Sequence, residues 1–146
     1  MTIDKIIKRI ISKNSQLSLE LYFFDRKQAV DYFNNKLYEL GSHLDLVNNH
    51  EVERLSNELI VHSYVFSING HNDIAFKIHD MLANTTQNEI SLYIIGCCLK
   101  RGIETKQNTI RSSEILSYLS KNSKYEKIQI LAAWELNGLN AEDYWI

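Results

Sequence analysis

Proline is absent from all 146 residues, so no helix in this chain is broken by a missing backbone N–H. Glycine occurs only five times, and Gly41, Gly70, Gly102 and Gly138 stand where helices are expected to stop. The two cysteines, Cys97 and Cys98, are adjacent within an apolar run. Neighbouring cysteines do not readily reach relaxed disulfide geometry, and no second pair completes a zinc site. Both read as small buried hydrophobes. No apolar run approaches the roughly 20 residues that span a bilayer, and no secretory leader is read, so a cytoplasmic chain without membrane partners is expected. A net charge of −2 argues against a general polyanion binder, and nucleic acid is not an expected partner.

What is present is helical periodicity. The length fits one domain with a real core, and 45% hydrophobic against 23% charged residues is ordinary for a globular chain. Ile3, Ile6, Ile7, Ile10 and Ile11 share one face of an N-terminal segment, with Lys5, Lys8, Arg9 and Lys13 around the remainder. The pattern reads as a docked first helix; the alternatives are a membrane anchor or a targeting peptide. Leu17 to Phe24 reads as a short buried helix, a run that periodicity does not separate from a strand. Asp25 caps a helix with Val30, Phe33, Leu37 and Leu40 inward and Gly41 as its stop, and a loop runs on to Asn48. Asn48 and Glu51 have capping-box spacing and open a helix that ends at Asn69-Gly70. Asn72 is expected to cap Asp73–Ala83, with Ile74, Ile78 and Leu82 inward. Thr86-x-x-Glu89 and Ser123-x-x-Glu126 read as capping boxes for helices ending at Gly102 and Gly138. Ile110, Ile115, Leu116 and Leu119 mark another helix between them. Asn140 caps a last turn, Ala141–Ile146.

The glycine stops recur at intervals of 29, 32 and 36 residues, obtained by subtraction. Such periods are those of helical-hairpin repeats. Four residues before the last three glycines stand Phe66, Cys98 and Trp134; ten before stand Ile60, Leu92 and Ile128. Six before stand Tyr64, Gly96 and Ala132, and the two small residues would let paired helices approach closely. The expected architecture is all-α: about eight helices in stacked antiparallel pairs, within a single domain at 1–146. Positions 1–41 supply N-terminal helices or a cap, and 42–146 supply the repeats.

Ala132-Ala133-Trp134-Glu135-Leu136-Asn137-Gly138 resembles the end of the first helix in HEAT-like repeats. Gly70, Ala75 and Leu82 resemble the turn and second helix of a tetratricopeptide repeat, although the proline typical of that unit is missing. Both resemblances imply a continuous core and one extended groove. Size, repeat and an Asn/Ile-rich composition together resemble bacterial immunity proteins of toxin–immunity pairs, including those of contact-dependent growth inhibition. That resemblance implies a protein that occludes a cognate toxin domain.

No catalytic constellation is read, and no cofactor or metal site. His50-Glu51 begins like HExxH, but position 54 is Arg. His62, His71 and His79 lie near one turn without a completing carboxylate or thiolate and read as ordinary polar histidines. Arg54 and His62 resemble the Arg and His of HEPN ribonucleases, with a spacing of eight that is longer than that pattern. The chain is therefore read as a non-enzymatic binding module for a protein partner with a basic surface. Candidate contacts are Asp73, Asp80, Glu104, Glu114, Glu142, Asp143, Tyr144 and Trp145: carboxylates to steer a cationic partner, aromatics to anchor it. The alternatives are a ribonuclease built on Arg54 and His62, and an adaptor that holds a peptide in its groove.

Overall fold

In the computed structural model, residues 2–11 and 23–138 are described. They form seven helices and no strand: α1 (Ile3–Lys8), α2 (Arg26–Asp45), α3 (Asn49–Ile68), α4 (Asn72–Thr85), α5 (Glu89–Arg101), α6 (Thr109–Asn122) and α7 (Glu126–Leu136). From α2 onward each helix packs on the next, while α2 also meets α4, and α5 meets α7. Short turns between consecutive helices make neighbours antiparallel, which is the expected stack of helix pairs. α1 lies across α3, α4 and α5 and buries Ile3, Ile6 and Ile7, so the N-terminal segment is core. None of the described helices is long and apolar enough to cross a membrane.

Local chemistry explains most boundaries. Asp25 and Gln28 form a reciprocal capping box, with Gln28 N–H donating to Asp25 at 2.8 Å and Asp25 N–H to Gln28 at 3.0 Å. Asn48 caps α3 through the Glu51 N–H. At Gly70, with φ +88°, His71 N–H reaches Phe66 C=O and Gly70 N–H reaches Ser67 C=O. These two bonds are the Schellman closure that the Asn-Gly pair predicts.

Three expected caps are displaced. Thr86 ends α4 by donating its hydroxyl to Leu82 C=O, and the cap of α5 is Asn88, which accepts from Ser91 N–H at 3.1 Å. Asn72 is the first residue of α4 and takes a hydrogen bond from Ser67. Ser123 receives the Tyr125 N–H and donates to Glu89, and α7 opens at Glu126. Thr86 and Asn72 are claimed by the helix that precedes each, at Leu82 and Ser67, and only Ser123 finds a distant partner, Glu89.

Gly41 is the larger correction. It is no stop: α2 runs through it to Asp45, and the expected loop from Ser42 is mostly helix. Burial of Leu40 and partial burial of Leu44 hold the helix together across the glycine, which costs about 0.5–1 kcal/mol relative to alanine. Leu37, read as inward, is 41% exposed. Phe23 and Phe24 are not helical, and the rest of Leu17–Phe24, like Asn140 and Ala141–Ile146, lies outside the described residues.

The repeat register holds in part on α3, α5 and α7. Phe66 and Cys98 are fully buried, as are Ile60 and Ile128 to within 2%, whereas their counterparts Leu92 and Trp134 are half-buried. Gly96 does what its small size predicts: a Cβ there would stand 3.0 Å from Leu116 Cδ2, so α5 and α6 meet closely. Gly96→Leu is expected to destabilise by about 1–3 kcal/mol through overpacking, read as a lower urea midpoint.

Candidate partner-binding groove

The outward faces of α4 and α6 form two walls over a floor supplied by α5. Two adjoining clefts of about 290 and 220 Å³ share Ala83, Asn84, Leu92, Arg111 and Ile115. Asp80 borders one from α4, and Glu114 borders the other from α6. Phe76, Ile95, Leu99 and Tyr118 extend the apolar lining. Asp80 is exposed and accepts a hydrogen bond from Asn84 at 3.2 Å, while exposed Glu114 lies 3.4 Å from Arg111. The arrangement is a trough of mixed lining, in which Asn84 and Arg111 stand beside Leu92 and Ile115, with a carboxylate on each side. Helical packing brings together two acids that are 34 residues apart.

The other predicted contacts are distributed differently. Asp73 is held by a two-pronged pair with Arg26, at 2.6 and 2.5 Å, and the guanidinium pulls its pKa down to about 2. Glu104 stands in the turn between α5 and α6 at φ +58°, next to Thr105 at one end of the trough. Glu142, Asp143, Tyr144 and Trp145 lie outside the described residues.

The histidines part company. His79, expected on an ordinary polar face, is fully buried. Ser63 donates to Ile60 C=O at 2.5 Å, so it accepts from His79 Nε2–H at 2.8 Å, and Nδ1 accepts from Ser91 at 3.0 Å. Burial lowers its pKa to about 3. Ser63 beside His79 resembles a nucleophile and its base, but both are 0% exposed and the contact is internal. His71 Nε2 instead meets Phe24 C=O at 2.8 Å and ties the chain before α2 to the start of α4.

Arg54 and His62 share a face of α3 with Glu58 between them. His62 Nδ1 is 2.9 Å from the Glu58 carbonyl, which only accepts, so Nδ1 carries the proton. Tyr32 hydroxyl lies 3.0 Å from the same nitrogen and 3.2 Å from Glu58 Oε1. Arg54 is surrounded by Glu51 at 2.8 Å, Glu58 at 3.4 Å and Glu39 at 3.6 Å. Its donors therefore face carboxylates. Lys36 adds a pair to Glu58 at 3.1 Å, and this network binds α2 to α3.

Sequence reasoning missed the most unusual charge in the molecule. Glu135, within an apolar helix end, is 0% exposed and is met by Arg101 at 2.8 Å, Arg9 at 3.1 Å and Lys100 at 3.2 Å. Arg9, only 3% exposed, also reaches the Tyr93 hydroxyl, so this carboxylate joins α1 and α5 to α7. A lone acid in an otherwise apolar stretch was the available signal. The two thiols nearby are inert, since burial pushes Cys97 up to about 12 and Cys98 also upward. Among the described residues no group of His, Cys, Asp and Glu has the disposition of a metal site. No family model, curated protein or solved structure matches the chain.

Proposed function

We propose that this chain is a non-enzymatic module that binds a protein partner in the α4–α6 trough. Its expected role is that of an immunity protein that blocks a cognate basic toxin domain, of nuclease type. The observation that carries this reading is the pair of carboxylates, Asp80 and Glu114, on opposite sides of a floor that carries Leu92, Ile95 and Leu99. An apolar floor supplies area for burial, and the acids select a partner segment bearing Lys or Arg. The toxin–immunity assignment rests on the resemblance of size, composition and repeat; the trough supplies a place for such a partner. A ribonuclease built on Arg54 and His62 has less support, because three carboxylates occupy the surroundings of Arg54.

Expression of the neighbouring reading frame's product tests the proposal. This chain should restore growth when that product is toxic, and unprotected growth would sink the immunity role. RNA incubated with the pure protein should be cleaved no differently by His62→Ala. A loss of cleavage in that variant would favour the ribonuclease instead.

A further inference from the structure

We infer that Asn137 is a site of spontaneous covalent modification in the folded protein, deamidating and isomerising through a succinimide. The sequence holds two Asn-Gly pairs, and the other, Asn69-Gly70, is held back by its turn. Both pairs end a helix. Asn69 and Asn137 are the C-caps of α3 and α7, with ψ 4° and 7°, and the glycines that follow take φ +88° and +71°. Glycine is needed there for the left-handed closure. The same lack of a Cβ leaves its backbone nitrogen free to reach the preceding side chain.

The glycine nitrogen, on losing its proton, bonds to the asparagine Cγ. The Cγ–Nδ2 bond breaks and ammonia leaves with that proton, closing a five-membered succinimide. Water then opens the ring at one of its two carbonyls. One product is aspartate; the other is isoaspartate, whose backbone runs through Cγ. No electrons are gained or lost. The ring brings Cβ and the glycine nitrogen onto the same side of the Cα–C bond, which a helical ψ does not allow. The Asn-Gly peptide plane must therefore turn first, breaking the hydrogen bond that the glycine N–H makes.

That bond differs between the two caps. Gly70 N–H donates to Ser67 C=O at 3.0 Å, and the flanks of the turn are tied as well. His71 N–H reaches Phe66 C=O at 2.7 Å, Ser67 donates to Asn72 at 2.7 Å, and the His71 ring meets Phe24 C=O at 2.8 Å. Asn69 Nδ2, the leaving nitrogen, is buried. Gly138 N–H, in contrast, stands 3.4 Å from Glu135 C=O, longer than an ordinary N–H···O bond. The same carbonyl accepts from the Lys100 ammonium, so it keeps a partner when Gly138 turns away. Asn137 and Gly138 are both exposed, which admits water and lets ammonia leave. Neither asparagine lines the α4–α6 trough, so the inference does not rest on the function proposed above.

The test ages the full chain at neutral pH in heavy-oxygen water, which labels each opened ring, and reads conversion at each asparagine by peptide mapping. In the folded protein Asn137 should convert at least about tenfold faster than Asn69. That ratio equals about 1.4 kcal/mol in the cost of opening, or roughly one net hydrogen bond. In concentrated urea, where neither turn persists, the two should convert at similar rates. Equal rates in the folded protein overturn the inference, as does a lead for Asn69. So does an Asn137 that stays intact in the folded protein while the urea-unfolded chain converts.

Discussion

Glu135→Gln is expected to destabilise the protein by about 3–5 kcal/mol, the range for removing one partner from a buried ion cluster. Three cations, Arg9, Lys100 and Arg101, converge on this one carboxylate. Arg9 is shielded from water almost completely, and Lys100 and Arg101 are shielded in part. Glutamine keeps the shape and can accept a hydrogen bond, but it leaves the cations to repel one another. Arg101 already has a buried Nη1 without a hydrogen-bond partner, so the cluster has no spare acceptor to redistribute. Arg9→Met should cost less, because Glu135 keeps two cations. Urea unfolding at pH 7 measures both, and the larger loss corresponds to a fall in Tm of roughly 10 °C for a domain of this size. A Glu135→Gln loss under about 1 kcal/mol would mean that the cluster is far better solvated than its burial indicates.

Acidification should expose the second buried group. His79 is neutral in the folded state, with its pKa held near 3, whereas the unfolded side chain titrates at its ordinary 6.5. Below pH 6.5 the unfolded chain takes up a proton that the folded chain refuses. Stability is thus full above that pH and declines as pH falls toward 3, by up to about 1.4 kcal/mol per pH unit. Asp73 acts in a lower window: its stabilisation is present above 3.8 and is lost as pH falls through about 2. Partial exposure of the Arg26–Asp73 pair keeps that contribution small. Between pH 6 and 5 the slope therefore reports His79. His79→Leu should remove that slope and cost about 2–3 kcal/mol at pH 7, because Ser91 loses its acceptor and Ser63 its donor. Parallel urea midpoints for wild type and variant over that interval would contradict this role.

How much of this was legible in the sequence depended on whether the deciding partner was local. Asp25 with Gln28, and Asn69 with Gly70, carry their reasons within four residues, and the structure realises both. Gly41 and Gly70 part ways through the residues on their C-terminal side. Leu44 packs back onto the core and continues the helix, whereas the ring of His71, next to Gly70, is drawn to Phe24. His79 could have been found, since it shares the inward side of α4 with Ala75, Ile78 and Leu82. Its acceptor and donor, Ser63 and Ser91, come from two other helices and left no local trace. Glu135 is the extreme case, because Arg9 lies 126 residues away in sequence. In the trough, Asp80 and Glu114 were read from their type, while their placement around Leu92 came from the stacking of α4, α5 and α6.

The proposed binding role is most directly tested by titration calorimetry of this chain against the product of the neighbouring reading frame. One-to-one binding is predicted. Asp80→Lys combined with Glu114→Lys should weaken it about tenfold or more, with the difference shrinking as salt is raised. Leu92→Glu should weaken it at every salt concentration, because it places a charge in the apolar floor. Unchanged affinity in both variants, with their folding intact, would contradict the α4–α6 trough as the partner's site.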